Sequence, residues 1–258
     1  MANDFTRLAG LQGCVSIAER NRLTGGLKTA FRHVGNVSDL QISMKIDRKK
    51  KKETCSGAYG LLGTLITGRE AGVKIKMDSW VLENLAMAVS GIGTSVVSGT
   101  VTGEQILEGT AFIGGDAAFK YPNVSAVVIK DSLGTTLVNG TDYKLFPIRG
   151  KIEFLNVTGF TAPFAADYAY ADSENVSFFT DPSREWVIRF EGVNTFEGNA
   201  PITVELYRVQ LDPSKSIDLI KDDFAMFELD GDLLVDTSKP EGDAIWGQYA
   251  RIIQTVLV

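Results

Sequence analysis

Four stretches of this chain alternate apolar and polar residues with a period of two, and that pattern narrows its fold more than any other feature. Leu40, Ile42, Met44 and Ile46 alternate with Gln41, Ser43, Lys45 and Asp47, and Val73, Ile75 and Met77 alternate with Lys74, Lys76 and Asp78. Trp186, Ile188 and Phe190 oppose Val187, Arg189 and Glu191, and Ile202, Val204, Leu206 and Arg208 alternate with Thr203, Glu205, Tyr207 and Val209. Neighbouring side chains on a strand point to opposite faces, so each stretch lays one apolar row on a half-buried sheet. Shorter segments at 126–130, 136–138, 143–146 and 151–155 read as strands joined by turns, of which Asn139-Gly140 is the strongest. Brief strands at 224–229 and 233–235 are expected around a turn at Asp230-Gly231. About ten strands and one convincing helix predict a mainly β fold, a sandwich or barrel flanked by one α-helix.

The helix is expected over residues 79–90, with Asp78 or Ser79 as its cap and Gly91 as its stop. Val81, Leu82, Leu85, Ala88 and Val89 follow core spacing. Trp80 and Met87 then fall on the opposite side, near Glu83, Asn84 and Ser90. Either a loop of the same chain covers that pair or a neighbouring subunit does.

Residues 1–35 show little periodicity and are broken by Gly10, Gly13, Gly25 and Gly26, which reads as an N-terminal arm. The rest, 36–258, is expected to be a single β domain with an extended loop at 45–58. That loop holds five consecutive cations, Arg48, Lys49, Lys50, Lys51 and Lys52. They suit a solvated hairpin tip, whose charges discourage edge pairing. They suit equally a contact with an acidic surface on another subunit. A nucleic-acid patch is the weaker reading, because the nearest aromatic for stacking bases is Tyr59.

Charged residues make up 22% of the chain and hydrophobic residues 44%, so neither disorder nor a membrane-spanning class is indicated. No apolar run is long enough to span a bilayer, and no signal peptide is expected. A formal charge of −6 argues against wrapping nucleic acid. Cys14 and Cys55 lack further ligands at metal spacing and read as two free thiols, so zinc is not expected. The lone histidine, His33, has no nearby partner for general-base work, and the phosphate-binding, zinc-protease and nucleophile-elbow motifs are missing. The acidic stretch at 228–232 fails the calcium-loop pattern, since no Glu sits six residues past Gly231. No catalytic residue, metal or cofactor is assigned, and catalysis is not expected.

The order of features resembles the tail tube proteins of long-tailed bacteriophages. The resemblance rests on Asn36-Val37-Ser38 leading to Asp47, a polar stretch with Glu53 and Ser56, residues 73–77, and Asn84-Leu85-Ala86-Met87-Ala88. It continues through residues 127–131, Gly140-Thr141-Asp142-Tyr143 and Gly150-Lys151-Ile152. It ends with Phe190-Glu191-Gly192, residues 204–209, residues 219–223 and Phe227-Glu228-Leu229. These motifs record strand order and turn chemistry across roughly residues 31–235 and contain no reactive groups.

The resemblance implies a virion protein, made in the host bacterial cytoplasm, that closes into rings of six. Stacked rings would form a tube through which DNA leaves during genome ejection, and the type VI secretion tube is similar in fold. Implied partners are other copies of the chain, the terminator, tape measure and distal tail proteins, and DNA passing without sequence specificity; no membrane insertion is implied. Arg48, Lys49, Lys50, Lys51, Lys52, Trp80 and Met87 become candidate subunit contacts. The competing expectation is a carbohydrate-binding or adhesin-like sandwich, for which Tyr168 and Tyr170 are the candidate surface aromatics.

Overall fold

The computed structural model describes residues 9–220 and 222–255. Its elements run β1 (Leu11–Arg20), β2 (Arg32–His33), β3 (Val37–Lys52), β4 (Leu61–Met77), α1 (Leu82–Ala88), β5 (Ile92–Val96), β6 (Gly99–Leu107), β7 (Asp116–Ala118) and β8 (Val124–Lys130). They continue β9 (Thr136–Leu137), β10 (Tyr143–Phe146), β11 (Lys151–Phe154), β12 (Phe164–Tyr170), β13 (Ser173–Ser177), β14 (Glu185–Asn194), β15 (Ala200–Leu211), β16 (Phe227–Leu233) and β17 (Ala250–Gln254). The protein is mainly β with one helix, as the alternation predicts.

The chain forms two compact units where a single domain was expected. Unit 1 holds the chain up to Gly93 and from Val176 onward, and unit 2 is the insertion Thr94–Asn175. The division follows two separate apolar cores, which no single stretch of sequence announces.

Unit 1 is built on an antiparallel sheet ordered β2-β1-β14-β15-β16-β4-β3. Its buried face collects Ile17 from β1, Ile188 from β14, Leu206 from β15, Phe227 and Leu229 from β16, and Ile75 and Met77 from β4. Fully burying an aliphatic or aromatic side chain of this size contributes about 1.5–3 kcal/mol each, so this row is what holds the sheet in shape. Met87 and Ala88 of α1 join the same core.

The expected N-terminal arm is corrected over its described part. Residues 1–8 lie outside the described residues, but β1 is a full strand paired with β14 from Leu11↔Asn194 to Arg20↔Glu185, and Val15, Ile17 and Ala18 are buried. Gly13 was read as a breaker, yet it sits opposite Gly192, where a Cβ would collide with the Glu191 carbonyl. The glycine permits close backbone approach within a strand. The turn expected at Asp230-Gly231 is corrected for a similar reason. β16 runs straight through it, with Gly231 opposite both Val73 and Leu211.

β15 shares its outer edge between two collinear strands. β16 pairs at Val209–Leu211 and β17 at Ile202–Leu206. β16 stops pairing with β4 at Leu233↔Ala71, so residues 61–70 of β4 are paired only to β3. An open groove of about 730 Å³ lies at this divergence, lined by Met44, Arg69, Ala71, Leu233, Val235 and Tyr249.

Unit 2 packs the sheet β6-β12-β8-β9 against the sheet β10-β11-β7. Ile129, Phe164, Ala166 and Tyr168 from the first meet Ile152 and Phe154 from the second in one core. This is the sandwich that the short hairpin signals anticipated.

Candidate assembly surface

The basic run does not lie in a loop. Arg48, Lys49, Lys50, Lys51 and Lys52 form the distal end of β3, paired residue by residue with the distal end of β4. The expected extended loop at 45–58 is therefore a β-hairpin, with only residues 53–60 forming its tip. At the tip Glu53 accepts hydrogen bonds from the Ser56 amide and hydroxyl. The backbone bonds of the ladder hold β3 extended here, because lysine alternation offers no apolar face to do so.

Arg48↔Ile66 and Lys50↔Thr64 share one face of the hairpin, and Lys49↔Leu65 and Lys51↔Gly63 share the other. Both faces thus carry cations along β3 and uncharged, mostly apolar residues along β4. Leu62 and Leu65 are each 67% exposed, and Leu61 and Ile66 are also open to solvent. Nearer the body of the sheet, Lys45 is bound to Glu70 and Asp47, and Lys74 to Glu228. None of the five cations from Arg48 to Lys52 has an ion-pair partner among the described residues.

Trp80 and Met87 do not form a shared surface. The helix is shorter than expected, so Trp80 precedes it, in a tight turn closed by the Val81 amide donating to the Ser79 carbonyl, and rests its ring 4.9 Å from that of Phe227 while staying 48% exposed. Met87 is buried, and its sulfur lies 3.7 Å from Arg32 Nη2. Met87 is thereby withdrawn as a contact candidate, and Trp80 keeps one open edge. The expected core positions Ala88 and Val89 are buried and Leu85 packs against the same core, but Val81 is exposed, and Asn84 and Met87, expected on the outer side, are buried.

Asn84 is the residue that sequence reasoning placed on the wrong side. It is fully buried, with Nδ2 donating to the Val34 carbonyl at 2.8 Å and the Ser79 carbonyl at 3.0 Å. Its Oδ1 accepts from Arg32 Nη1 at 2.9 Å. With its amide satisfied on both sides, this polar residue is stable inside. Burial lowers the Arg32 pKa, and the Glu83 charge opposes that shift.

Of the two aromatics behind the glycan-binding expectation, Tyr168 is withdrawn from the surface and Tyr170 is half-buried. Tyr168 is buried and its hydroxyl donates to Glu104. Burial first, and that carboxylate second, hold the phenol well above its usual range. Tyr170 stacks on Tyr121 with ring centroids 4.0 Å apart.

Cys14 and Cys55 are free and exposed. Among the described residues no group of His, Cys, Asp or Glu could hold a metal ion, and no helix is long and apolar enough to cross a membrane.

A family model described as "Protein of unknown function UCP028589" matches residues 8–253. The chain belongs to that family. The match runs through both units and the whole hairpin, so the insertion and the projecting strands lie within the family's own extent. No curated protein matches the chain.

Proposed function

We propose that this protein is a structural subunit that assembles with copies of itself into rings stacked as a tube, in the manner of a phage tail tube. The observation that carries the reading is the distal β3–β4 hairpin, exposed on both faces and bearing four open aliphatic side chains. Two strands alone are marginal in water, and clustered exposed apolar surface marks an interaction site. A second copy is the partner that a structural subunit has in abundance.

Sheet edges support the same reading. β3 along its outer side and β4 at residues 61–70 offer unpaired backbone groups, which in a free monomer invite uncontrolled pairing. Ring closure and stacking cap such edges by symmetry. The overall charge of −6 suits a channel that DNA traverses without adhering, since phosphate binding requires clustered cations facing the bore. In this reading Arg48 to Lys52 face a subunit, and the virion is where the assembled protein resides.

Negative-stain microscopy of the purified protein, concentrated stepwise beside its mass from light scattering, tests the proposal. Rings or hollow tubes with a central bore are expected. A monodisperse 28.0 kDa species at every concentration would count against it.

A further inference from the structure

The geometry points to a head-to-tail contact in which the distal hairpin of one copy seats on the 218–224 segment of the next copy. This inference rests on the self-assembly reading and names the surface that receives the hairpin. Residues 218–224 belong to the connection between β15 and β16, and they are the chemical complement of the hairpin. Leu219, Ile220 and Phe224 are 81%, 99% and 83% exposed, an unusual display for three large apolar side chains within six residues. Asp222 and Asp223 stand exposed beside them. Lys221 lies between in sequence and outside the described residues, and the segment still carries an excess of acid.

The hairpin presents the opposite pairing, with the Arg48–Lys52 cations on one strand and Leu61, Leu62, Leu65 and Ile66 on the other. Apolar rows can therefore meet while carboxylates meet ammonium groups at the rim. Opposite charges around an apolar centre fix register and suppress wrong partners.

A single copy cannot make this contact with itself. The 218–224 segment leads into Phe227, which pairs with Met77 at one end of β4, whereas Leu61 and the cations lie toward the other end. β4 has 17 residues, and at about 3.3 Å per residue it spans about 55 Å along its length. Donor and acceptor are different surfaces at opposite ends of one strand, so the contact is heterologous and each copy keeps one free donor and one free acceptor. A heterologous contact closes into a ring or propagates according to its rotation; in this proposal it propagates from ring to ring. It supplies the stacking interaction, and ring closure needs other surfaces.

Charge exchange tests it. One variant carries Lys49→Glu, Lys50→Glu, Lys51→Glu and Lys52→Glu, a second carries Asp222→Lys and Asp223→Lys, and a third carries all six changes. Sedimentation velocity across a concentration series should show the midpoint for assembly rising at least about tenfold in each of the first two and largely recovering in the third, as coupled charge pairs do. Unchanged circular dichroism and melting confirm that the variants fold. A second readout uses the natural sequence alone. Equal amounts of light- and heavy-isotope protein are mixed and treated with a zero-length amine-to-carboxyl cross-linker. Mixed-isotope peptides joining Lys49, Lys50, Lys51 or Lys52 to Asp222 or Asp223 are expected.

Assembly of the natural protein with an unchanged midpoint in the aspartate variant would overturn the contact and leave the self-assembly reading standing. Cross-links from the lysines to a different acidic segment would do the same. A protein that stays monomeric throughout would overturn both.

Discussion

Arg20 and Glu185 are the last register pair of the β1–β14 ladder, and their side chains meet at 2.9 Å between Arg20 Nη1 and Glu185 Oε2. The pair is the centre of a buried network. Arg208 donates to both oxygens of Glu185, at 2.9 and 2.7 Å, and Arg20 Nη2 reaches Asp236 at 3.0 Å. Arg20 and Arg208 from two strands, joined by the more exposed Arg22 at 3.3 Å, thus converge on one carboxylate whose side chain is 2% exposed. Replacing Glu185 by Ala leaves Arg20 with Asp236 alone and Arg208 with the Val235 carbonyl alone, and the loss of one partner from a buried pair costs about 3–5 kcal/mol. The urea midpoint of Glu185→Ala should fall accordingly. A variant as stable as the natural protein would show that water reaches these arginines.

The same network sets an acid limit. Burial pushes the Glu185 carboxyl up, but Arg208 and then Arg20 outweigh it and leave it below its ordinary 4.5. Burial likewise raises Asp236, while Ser238, Arg20 and Lys239 together bring it below 3.8. Both folded values are depressed, so the unfolded chain takes up protons first. The stabilisation is fully present above the ordinary values of 4.5 and 3.8 and is lost as pH falls through the lower folded values. Urea midpoints measured from pH 7 down to pH 3 should be flat at first and drop below about pH 4.5. A flat profile to pH 3 would remove the network from the account of stability.

Asn84 ties the start of α1 to the chain around β2 through two hydrogen bonds, with Arg32 and the Val34 carbonyl, and a third holds the Ser79 carbonyl ahead of the helix. Asn84→Ala leaves the Val34 carbonyl and the Arg32 guanidinium without that partner, and each unsatisfied buried group costs about 1–3 kcal/mol. Thermal melting of unit 1 should shift down, while unit 2 keeps its own transition. Equal shifts in both transitions would mean that the units do not unfold separately.

Unit 2 has a private core and chain ends that lie side by side, since Gly99 pairs with Tyr170. A fragment comprising 94–175 should fold alone and unfold cooperatively. Ile152 is completely buried there, and Ile152→Ala should cost about 2–5 kcal/mol in the fragment and the same in the full chain. A fragment without cooperative unfolding would show that its sandwich depends on the remainder of the protein.

Much of the sheet was readable, and the failures have physical causes. Strands β14, β15 and the 73–77 part of β4 announced themselves because each has one buried face, which forces alternation onto the sequence; β3 alternates too, although Leu40 and Ile42 are only partly buried and Met44 and Ile46 are exposed. β1 was hidden by glycines that serve close backbone approach at Gly13 and Gly192. The distal hairpin was hidden by its own solvation: with neither face buried, nothing requires Lys49 and Lys51 to differ from Lys50 and Lys52. Asn84 was missed because a helix of one and a half to two turns offers too few positions to fix its phase, and because its partners Val34 and Arg32 come from a different segment. Of the candidate contacts, the cations were found by composition alone. The acceptor segment, with Leu219, Ile220 and Phe224, could have been noticed as apolar residues among acids that follow no strand or helix period.

The β1–β14 ladder also imposes an order of events on the ribosome. Arg20 emerges 165 residues before its partner Glu185, and at about 5–20 residues per second that is a wait on the order of 10–30 seconds. Throughout that interval Val15 and Ile17 have no β14 to cover them. Unit 2 is translated in the middle of it and holds every strand it needs, so the insertion is finished before the sheet that surrounds it in sequence can begin to close. The nascent protein therefore carries an open edge and a completed sandwich at the same time, and the last third of the chain decides when the first strand stops being a hazard to its neighbours.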